Sequence, residues 1–211
     1  HKPVPSFAAE RTRLYVLQAG NLPVRAVFAL PYRQLPYGSR ALLLRAALAA
    51  GAVFSPGTAP LLAGSTYDEA VARAEELTDA GLLQSAPDAE RYRFHDLLRL
   101  YAAELVDTED GPEVRAAALA RTADRILRRA TAAALHFDVD HEQNASHLDP
   151  GPGQAPTGRD EARAWLEAER AQWLAALRQA YDAGHYRQVL DAARAMHWFS
   201  DLNQHWEQWV E

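Results

Sequence analysis

Apolar residues recur at helical spacing along most of the chain, and proline and glycine residues separate the repeats. This pattern predicts helices over residues 6–18, from Leu22-Pro23 to the residue before Pro31, and over 39–50, 56–62 and 66–80. Thr66 is placed to cap the last of these helices, and Gly81 is placed to end it.

Two short segments after this helical region have the character of β-strands. Residues 82–84 and 91–94 flank a turn at Pro87-Asp88, and this arrangement predicts a β-hairpin. A further helix is predicted from Leu97 through Leu105. Helices followed by a hairpin give the element order of a winged helix, a variant of helix-turn-helix. The pattern thus predicts a mainly α fold with a winged-helix domain and a small β-hairpin.

The second half of the chain predicts more helix. A long helix is expected over residues 112–135, with the arginines largely on the sides away from its apolar face: Arg115, Arg121, Arg125, Arg128 and Arg129. Residues 137–157 lack periodicity and contain a Pro/Gly run, which is typical of a long loop or linker. Thr157 and Asp160 resemble a capping box, and helices follow, with breaks near Gly184 and Asn203.

Composition narrows the function classes. The 211 residues are 48% hydrophobic and 24% charged, as expected for a globular protein. The longest apolar runs, such as residues 46–54, are far below the roughly 18–20 residues that span a bilayer. No basic and apolar leader opens the chain, and we expect a cytoplasmic protein. The absence of cysteine excludes disulfides, thiol catalysis and cysteine-ligated metals.

The near absence of lysine argues against two further kinds of functional site. Lys2 is the only lysine, and it follows His1, so the chain contains no Gly-Lys-Ser/Thr phosphate-binding loop and a lysine Schiff base is not expected. The net charge is −6, which disfavours nonspecific attraction to nucleic acids and anionic membranes.

The predicted recognition helix of the winged helix is acidic. Residues 66–80 carry Arg73 as their only basic residue, against five acidic residues: Asp68, Glu69, Glu75, Glu76 and Asp79. DNA phosphates would repel such a helix from the major groove. Arg91 and Arg93 in the hairpin are accompanied by Asp88 and Glu90. A winged helix used for packing and switching is therefore favoured over one that binds DNA directly.

The motif Phe94-His95-Asp96 lies at the predicted junction between strand and helix. Helix N-termini favour anions, and a histidine there can donate a hydrogen bond to a phosphate. Asp96 can cap the helix or orient the ring. The alternative is a structural histidine satisfied by backbone groups beside an Asp N-cap, and residue spacing alone favours this structural role.

Four segments carry a family resemblance. Residues 92–102 (YRFHDLLRLYA) resemble the end of the winged-helix domain in STAND-type, NB-ARC-containing ATPases, in particular the bacterial regulators of the AfsR/SARP type. Residues 22–28 (LPVRAVF), followed by Tyr32 and Leu35, resemble that family's entry into the winged helix. Residues 164–170 (AWLEAER) and 205–209 (HWEQW) resemble the segment leading into its tetratricopeptide repeats.

The resemblance implies a role for two residues. His95 would lie against the β-phosphate of bound ADP in the closed, inactive state, and Asp96 would support the packing around it. Many family members have methionine at the position of Phe94, so this chain has a different residue there but one that is also apolar. The implied cofactors are ADP or ATP with magnesium in the intact protein, held by an upstream nucleotide-binding domain. We expect no cofactor, metal site or catalytic residue in this chain.

The resemblance also implies the division of the chain. Residues 1–31 would end a preceding helical segment, 32–108 would form the winged helix, 109–157 a helical connector and loop, and 158–211 the start of tetratricopeptide-like repeats. The chain would be a piece of a larger protein and would not hydrolyse ATP alone. Its expected partners are the upstream domain and a protein or small-molecule signal at the helical repeats, with DNA contacted only through another domain.

The predicted function is therefore regulatory: relay of the ADP/ATP state in a signalling protein that is a transcriptional regulator when intact. The alternative is a winged-helix transcription factor that binds DNA directly. An enzyme ranks third, because no catalytic constellation has a usable spacing.

Three other clusters favour structural explanations. Histidine and aspartate side chains gather before the Pro/Gly run, where a solvated loop is favoured over metal binding: His136, Asp138, Asp140, His141 and His147. Five tryptophans are expected to fill seams between helices: Trp165, Trp173, Trp198, Trp206 and Trp209. Glu167 and Glu169 are two residues apart on a helix, so we interpret them as part of a solvated face.

Overall fold

The computed structural model describes residues 22–50, 53–86, 91–109, 111–138, 149–150 and 155–202. Most of these residues are helical, and a small three-stranded sheet is present. The predicted helix over residues 6–18, the hairpin turn at Pro87-Asp88 and the segment 205–209 lie outside the described residues.

The first part of the chain forms a compact helix-and-sheet unit. Its elements are α1 (Leu22–Gln34), α2 (Tyr37–Leu48), β1 (Val53–Phe54), α3 (Ala59–Ala63), α4 (Tyr67–Asp79), β2 (Gln84–Ala86), β3 (Arg91–Arg93) and α5 (Asp96–Glu109). The core between them contains Leu42, Leu43, Leu61, Leu77 and Leu98, none of which is exposed.

The sheet is antiparallel, with the strand order β1-β3-β2. Ser85 of β2 and Phe54 of β1 both pair with Tyr92, and Val53 pairs with Arg93. The order helix α2, strand β1, helices α3 and α4, and hairpin is that of a winged helix, which confirms the predicted fold class. Sequence reasoning missed β1, because a two-residue strand shows no alternation.

Helix α4 begins and ends where the sequence predicts. Thr66 and Glu69 form a capping box, in which Thr66 Oγ1 accepts the Glu69 N–H and Glu69 Oε2 accepts the Thr66 N–H. Gly81 follows the C-cap with a φ of +70°, which L side chains rarely adopt.

Helix α1 corrects the prediction of a helix end before Pro31. The helix continues through Pro31 to Gln34, so a boundary between residues 31 and 32 would fall inside it. Proline removes one intrahelical hydrogen bond. Burial of Tyr32 and Leu35 offsets this loss, and the Tyr32 ring meets Tyr101 of α5 edge-on with centroids 6.3 Å apart.

The second part of the chain is a helical bundle around a long central helix. Helix α6 (Gly111–Leu135) packs against α7 (Arg159–Ala168), α8 (Arg170–Asp182) and α9 (Tyr186–Leu202). Ile126, Leu127 and Ala130 of α6 are buried in this bundle. The break between α8 and α9 falls at Gly184, as predicted, with a φ of +77°.

The prediction that the arginines of α6 lie largely on the outer sides of this helix is wrong for Arg129. The side chain of Arg129 is completely buried. Its Nε donates a 3.1 Å hydrogen bond to the Pro150 carbonyl, so the guanidinium attaches the following loop to α6. Burial lowers the pKa of Arg129, and Asp149 opposes that effect.

The start of α7 also differs from the prediction. Gly158 is the N-cap, and the Thr157 hydroxyl and N–H both donate to Glu161 at 2.9 Å, so the partner is Glu161 and not Asp160. The loop that was predicted to be a linker is fastened at its described ends, since Arg159 Nε donates to the His136 carbonyl at 2.8 Å.

None of the helices in the described ranges combines the length and the apolar character needed to cross a membrane.

Candidate functional site

His95 lies between the sheet and the helix that follows it. Strand β3 ends at Arg93, Phe94 is buried against Phe54, and α5 begins at Asp96. The buried Phe94 and Leu98 side chains hold the junction on the core, while the His95 side chain is exposed. The histidine is therefore presented at the surface between two residues that are buried in the core.

The His95 side chain caps α5. Its Nδ1 accepts the N–H of Leu97 at 3.4 Å, and its carbonyl accepts the N–H of Arg99 at 3.0 Å. This corrects the alternative in which Asp96 is the N-cap. A ring that accepts at Nδ1 carries its proton on Nε2 when neutral, so Nε2 is the donor available to a ligand.

Asp96 lies in the first turn of α5, and its side chain is exposed. A carboxylate in the first turn is stabilised by the partial positive charge of the helix N-terminus. Within the described residues, no hydrogen bond joins Asp96 to the His95 ring, so its role as a partner of the histidine stays a prediction.

The next turn of α5 is bound to the end of α2. Arg99 donates from Nε to the Ala47 carbonyl at 3.2 Å and from Nη2 to the Ala49 carbonyl at 2.6 Å. These carbonyl groups lie at a helix C-terminus, where a cation is favourable. Movement of α5 would therefore be transmitted to α2.

The residues at this junction fit one edge of a phosphate site. An exposed imidazole donor at a helix N-terminus suits a phosphate oxygen. Within the described ranges, this junction lacks the glycine-rich loop and lysine that enclose a nucleotide in P-loop proteins. His95 could supply a single contact to a nucleotide bound mainly by other residues.

Helix α4 presents the acidic surface that its sequence predicts. Five side chains of α4 are exposed: Asp68, Glu69, Glu75, Glu76 and Asp79. Arg73 is paired with Glu69 at 3.9 Å. A cavity of about 360 Å³ lies between α4 and the hairpin, lined in part by Glu75, Asp79 and Arg91. This charge distribution opposes approach to a DNA phosphate backbone.

The His/Asp cluster is only partly described. His136 Nε2 lies 2.9 Å from the Pro156 carbonyl, so its side chain contributes to loop attachment. Asp140, His141 and His147 lie outside the described residues. Among the residues that are described, no group of three His, Asp or Glu side chains is arranged to hold a metal ion.

Two of the five tryptophans confirm the predicted packing role. Trp165 and Trp173 are buried, and Trp173 Nε1 donates to the Leu166 carbonyl at 2.8 Å. Trp198 does not show the predicted packing role, since 36% of this residue is exposed and its ring contacts the ring of the adjacent His197. Trp206 and Trp209 lie outside the described residues.

The prediction of a solvated face holds for Glu167 but is wrong for Glu169, which is only 1% exposed. Glu169 lies at the break between α7 and α8. The Oε1 atom of Glu169 accepts the N–H of Ser55 at 2.9 Å. The spacing of Ala162, Trp165, Leu166 and Trp173 places Glu169 on their shared apolar face, and this is the signal that sequence reasoning overlooked.

Fold and site define a mainly helical protein in which a winged helix presents an exposed histidine and packs against a helical bundle. Nearly the whole chain is similar to two regulatory proteins named AfsR. The identity is 36% over 194 residues with the protein from Streptomyces griseus, covering 90% of this chain. It is 38% over 193 residues with the protein from Streptomyces coelicolor, covering 88% of this chain.

The matched region spans about a fifth of each AfsR protein, 20% and 19% of their lengths. No protein-family model and no solved structure matches the chain. The similarity supports the relationship to AfsR-type regulatory proteins that the sequence motifs indicate.

Proposed function

We propose that the chain is a regulatory segment of an AfsR-type member of the STAND class, and that it relays the ADP/ATP state of an upstream domain. The observation that carries the proposal is its similarity to AfsR over about nine-tenths of its length. In this role the winged helix is the moving part, and the following helices are the beginning of a repeat domain that receives a signal. The intact protein would be a transcriptional regulator.

His95 is the proposed nucleotide sensor. Its exposed position at the start of α5 leaves Nε2 available to a β-phosphate oxygen of ADP in the closed arrangement. A hydrogen bond to a charged group contributes about 1.5–3 kcal/mol, which favours the closed arrangement roughly 10- to 150-fold. Exchange of ADP for ATP, held with magnesium by the upstream domain, would remove this contact and release the winged helix.

The Arg99 contacts extend this relay to α2. Because Arg99 binds the carbonyls at the end of α2, a shift of α5 would also displace the end of α2. The acidic α4 supports a role in protein packing over direct contact with DNA. Saturable DNA binding by the 211-residue chain at physiological salt would overturn this preference.

The test separates sensing from helix capping in the intact protein. The variant His95→Asp keeps an N-cap acceptor and places a negative charge where the phosphate would lie. We expect it to weaken ADP binding by at least about tenfold and to raise signalling in the presence of ADP, without loss of thermal stability.

His185→Asp is the matched control, because His185 is also exposed and lies in the turn between α8 and α9. It should leave ADP binding unchanged. If His95→Asp retains the ADP affinity and signalling of the parent protein, His95 is only a structural cap and the sensor role is wrong.

A further inference from the structure

A buried polar cluster joins the winged helix to the turn between α7 and α8. Glu169 Oε1 accepts the Ser55 N–H at 2.9 Å. Arg91 Nη2, on β3, lies 3.9 Å from the same oxygen and donates to the Ala168 carbonyl at 3.0 Å. The hairpin and the segment after β1 therefore converge on one carboxyl group of the bundle.

The first turn of α8 adds a second pair of contacts. Gln172 Oε1 accepts the Ala50 N–H at 3.0 Å, and its Nε2 donates to the Val53 carbonyl at 3.5 Å. The Trp165 ring packs beside Gly57, where a Cβ atom would meet it at 3.4 Å. Glu169 thus lies at the centre of an interface that also contains uncharged contacts.

The surroundings of Glu169 suit a neutral carboxylic acid better than a carboxylate. Its Oε2 is buried and has no hydrogen-bond partner among the described residues. The charged group that faces it is Arg91, at a separation too long for a strong hydrogen bond. The segment between β1 and α3 presents only the hydroxyls of Ser55 and Thr58, while Glu75 and Asp79 of α4 line a cavity together with Arg91.

We propose that Glu169 is a protonation-sensitive latch that holds the winged helix on the α7–α8 turn when its carboxyl group is neutral and weakens this docking when it ionises. The latch rests on the contacts just described and not on nucleotide sensing by His95, so either proposal can fail without the other. It would give the relay a second input, separate from the proposed contact of an upstream domain with His95.

The direction of the pH effect follows from burial. Burial raises the pKa of Glu169, and three weaker influences oppose this rise only in part: the hydrogen bonds from Ser55, the positive charge of Arg91, and the nearby hydroxyl of Thr58. The docked state therefore binds a proton more tightly than the undocked state. Docking is favoured when the pH lies below the raised pKa and is lost as the pH rises through it, by at most about tenfold per pH unit for one proton.

Amide hydrogen exchange of Ala50 and Ser55 measures the latch, because these two N–H groups donate to Gln172 and Glu169. After correction for intrinsic exchange, we expect their protection to fall as the pH is raised from 5 to 8. The protection of Leu43, in the winged-helix core, should not follow this change. The variant Glu169→Gln keeps an oxygen that can accept the Ser55 N–H but cannot ionise. In this variant the protection of Ala50 and Ser55 should be independent of pH.

Glu167→Gln is the matched control, because Glu167 is exposed two residues away, and it should retain the parent pH profile. Arg91→Met should move the fall in protection to higher pH, whereas Arg93→Met, on the same strand with an exposed side chain, should not. A flat profile in the parent chain, or an unchanged fall in Glu169→Gln, would overturn the latch. If Glu169→Gln does not fold, equal profiles of the two arginine variants would overturn it.

Discussion

At the residue scale, His95 combines a structural role with an accessible donor. The 3.4 Å bond from the Leu97 N–H occupies Nδ1 and orients the ring at the start of α5. A fixed ring loses less conformational entropy on meeting a ligand than a freely rotating side chain. Capping and the proposed sensing are therefore compatible functions of one side chain.

Glu161 shows how a loop residue tunes an exposed carboxyl group. The N–H and the hydroxyl of Thr157 both donate hydrogen bonds to Glu161. Both bonds lower the pKa of Glu161, and the backbone N–H has the larger effect. We expect Thr157→Val to raise this pKa part of the way to the ordinary value of about 4.3, because the backbone bond remains.

A carboxyl-detected NMR titration measures this effect, with Thr157→Ser as the control that keeps the hydroxyl. Since the folded-state pKa is lowered, the cap stabilises the protein above the ordinary pKa, and this contribution is lost as the pH falls through the lowered value. An identical Glu161 titration in the valine variant would contradict the hydrogen-bonded cap.

Glu169 marks the limit of sequence reasoning about single residues. Its position on the apolar face of Trp165 and Leu166 is visible in the sequence, but its charge suggested a solvated side chain. The amide of Ser55 and the guanidinium of Arg91 make its burial tolerable, and both are far away in the sequence. Periodicity within one helix does not reveal such partners.

At the element scale, the sequence predicts elements with strong local signals. The capping box at Thr66 and the glycine at 81 determine the ends of α4 without help from the rest of the fold. Elements that depend on tertiary contacts are different. Helix α1 passes through Pro31 because Tyr32 and Leu35 pack on the core, and β1 exists because β3 pairs with it.

The loop after α6 depends on a buried cation. We expect Arg129→Ala to lower the free energy of unfolding by about 2–4 kcal/mol, because it removes the bond to the Pro150 carbonyl and leaves a void in the bundle. Thermal or denaturant unfolding monitored by circular dichroism measures this loss.

The neighbouring Arg128→Ala is the comparison, because Arg128 is exposed and pairs with Asp124 one turn away at 2.9 Å. It should cost less than about 0.5 kcal/mol. Equal losses in the two variants would mean that the buried guanidinium does not hold the loop.

At the scale of the whole molecule, the sequence predicts the order of a winged helix, a helical connector and further helices at the start of a repeat domain. It does not predict that Glu169 and Gln172 of the bundle bind the backbone near β1. Such long-range polar contacts follow from the packing of the two parts and leave no mark on local patterns. In the proposed relay, these contacts would carry a movement of the hairpin to the bundle.

The most direct test of the relay is hydrogen exchange of the first turn of α5 in the intact protein, with ADP or a non-hydrolysable ATP analogue bound. We expect slower exchange at Leu97 and Leu98 with ADP, because His95 then lies against the phosphate, and we expect His95→Asp to lose this difference. Equal exchange in the two nucleotide states of the parent protein would contradict it.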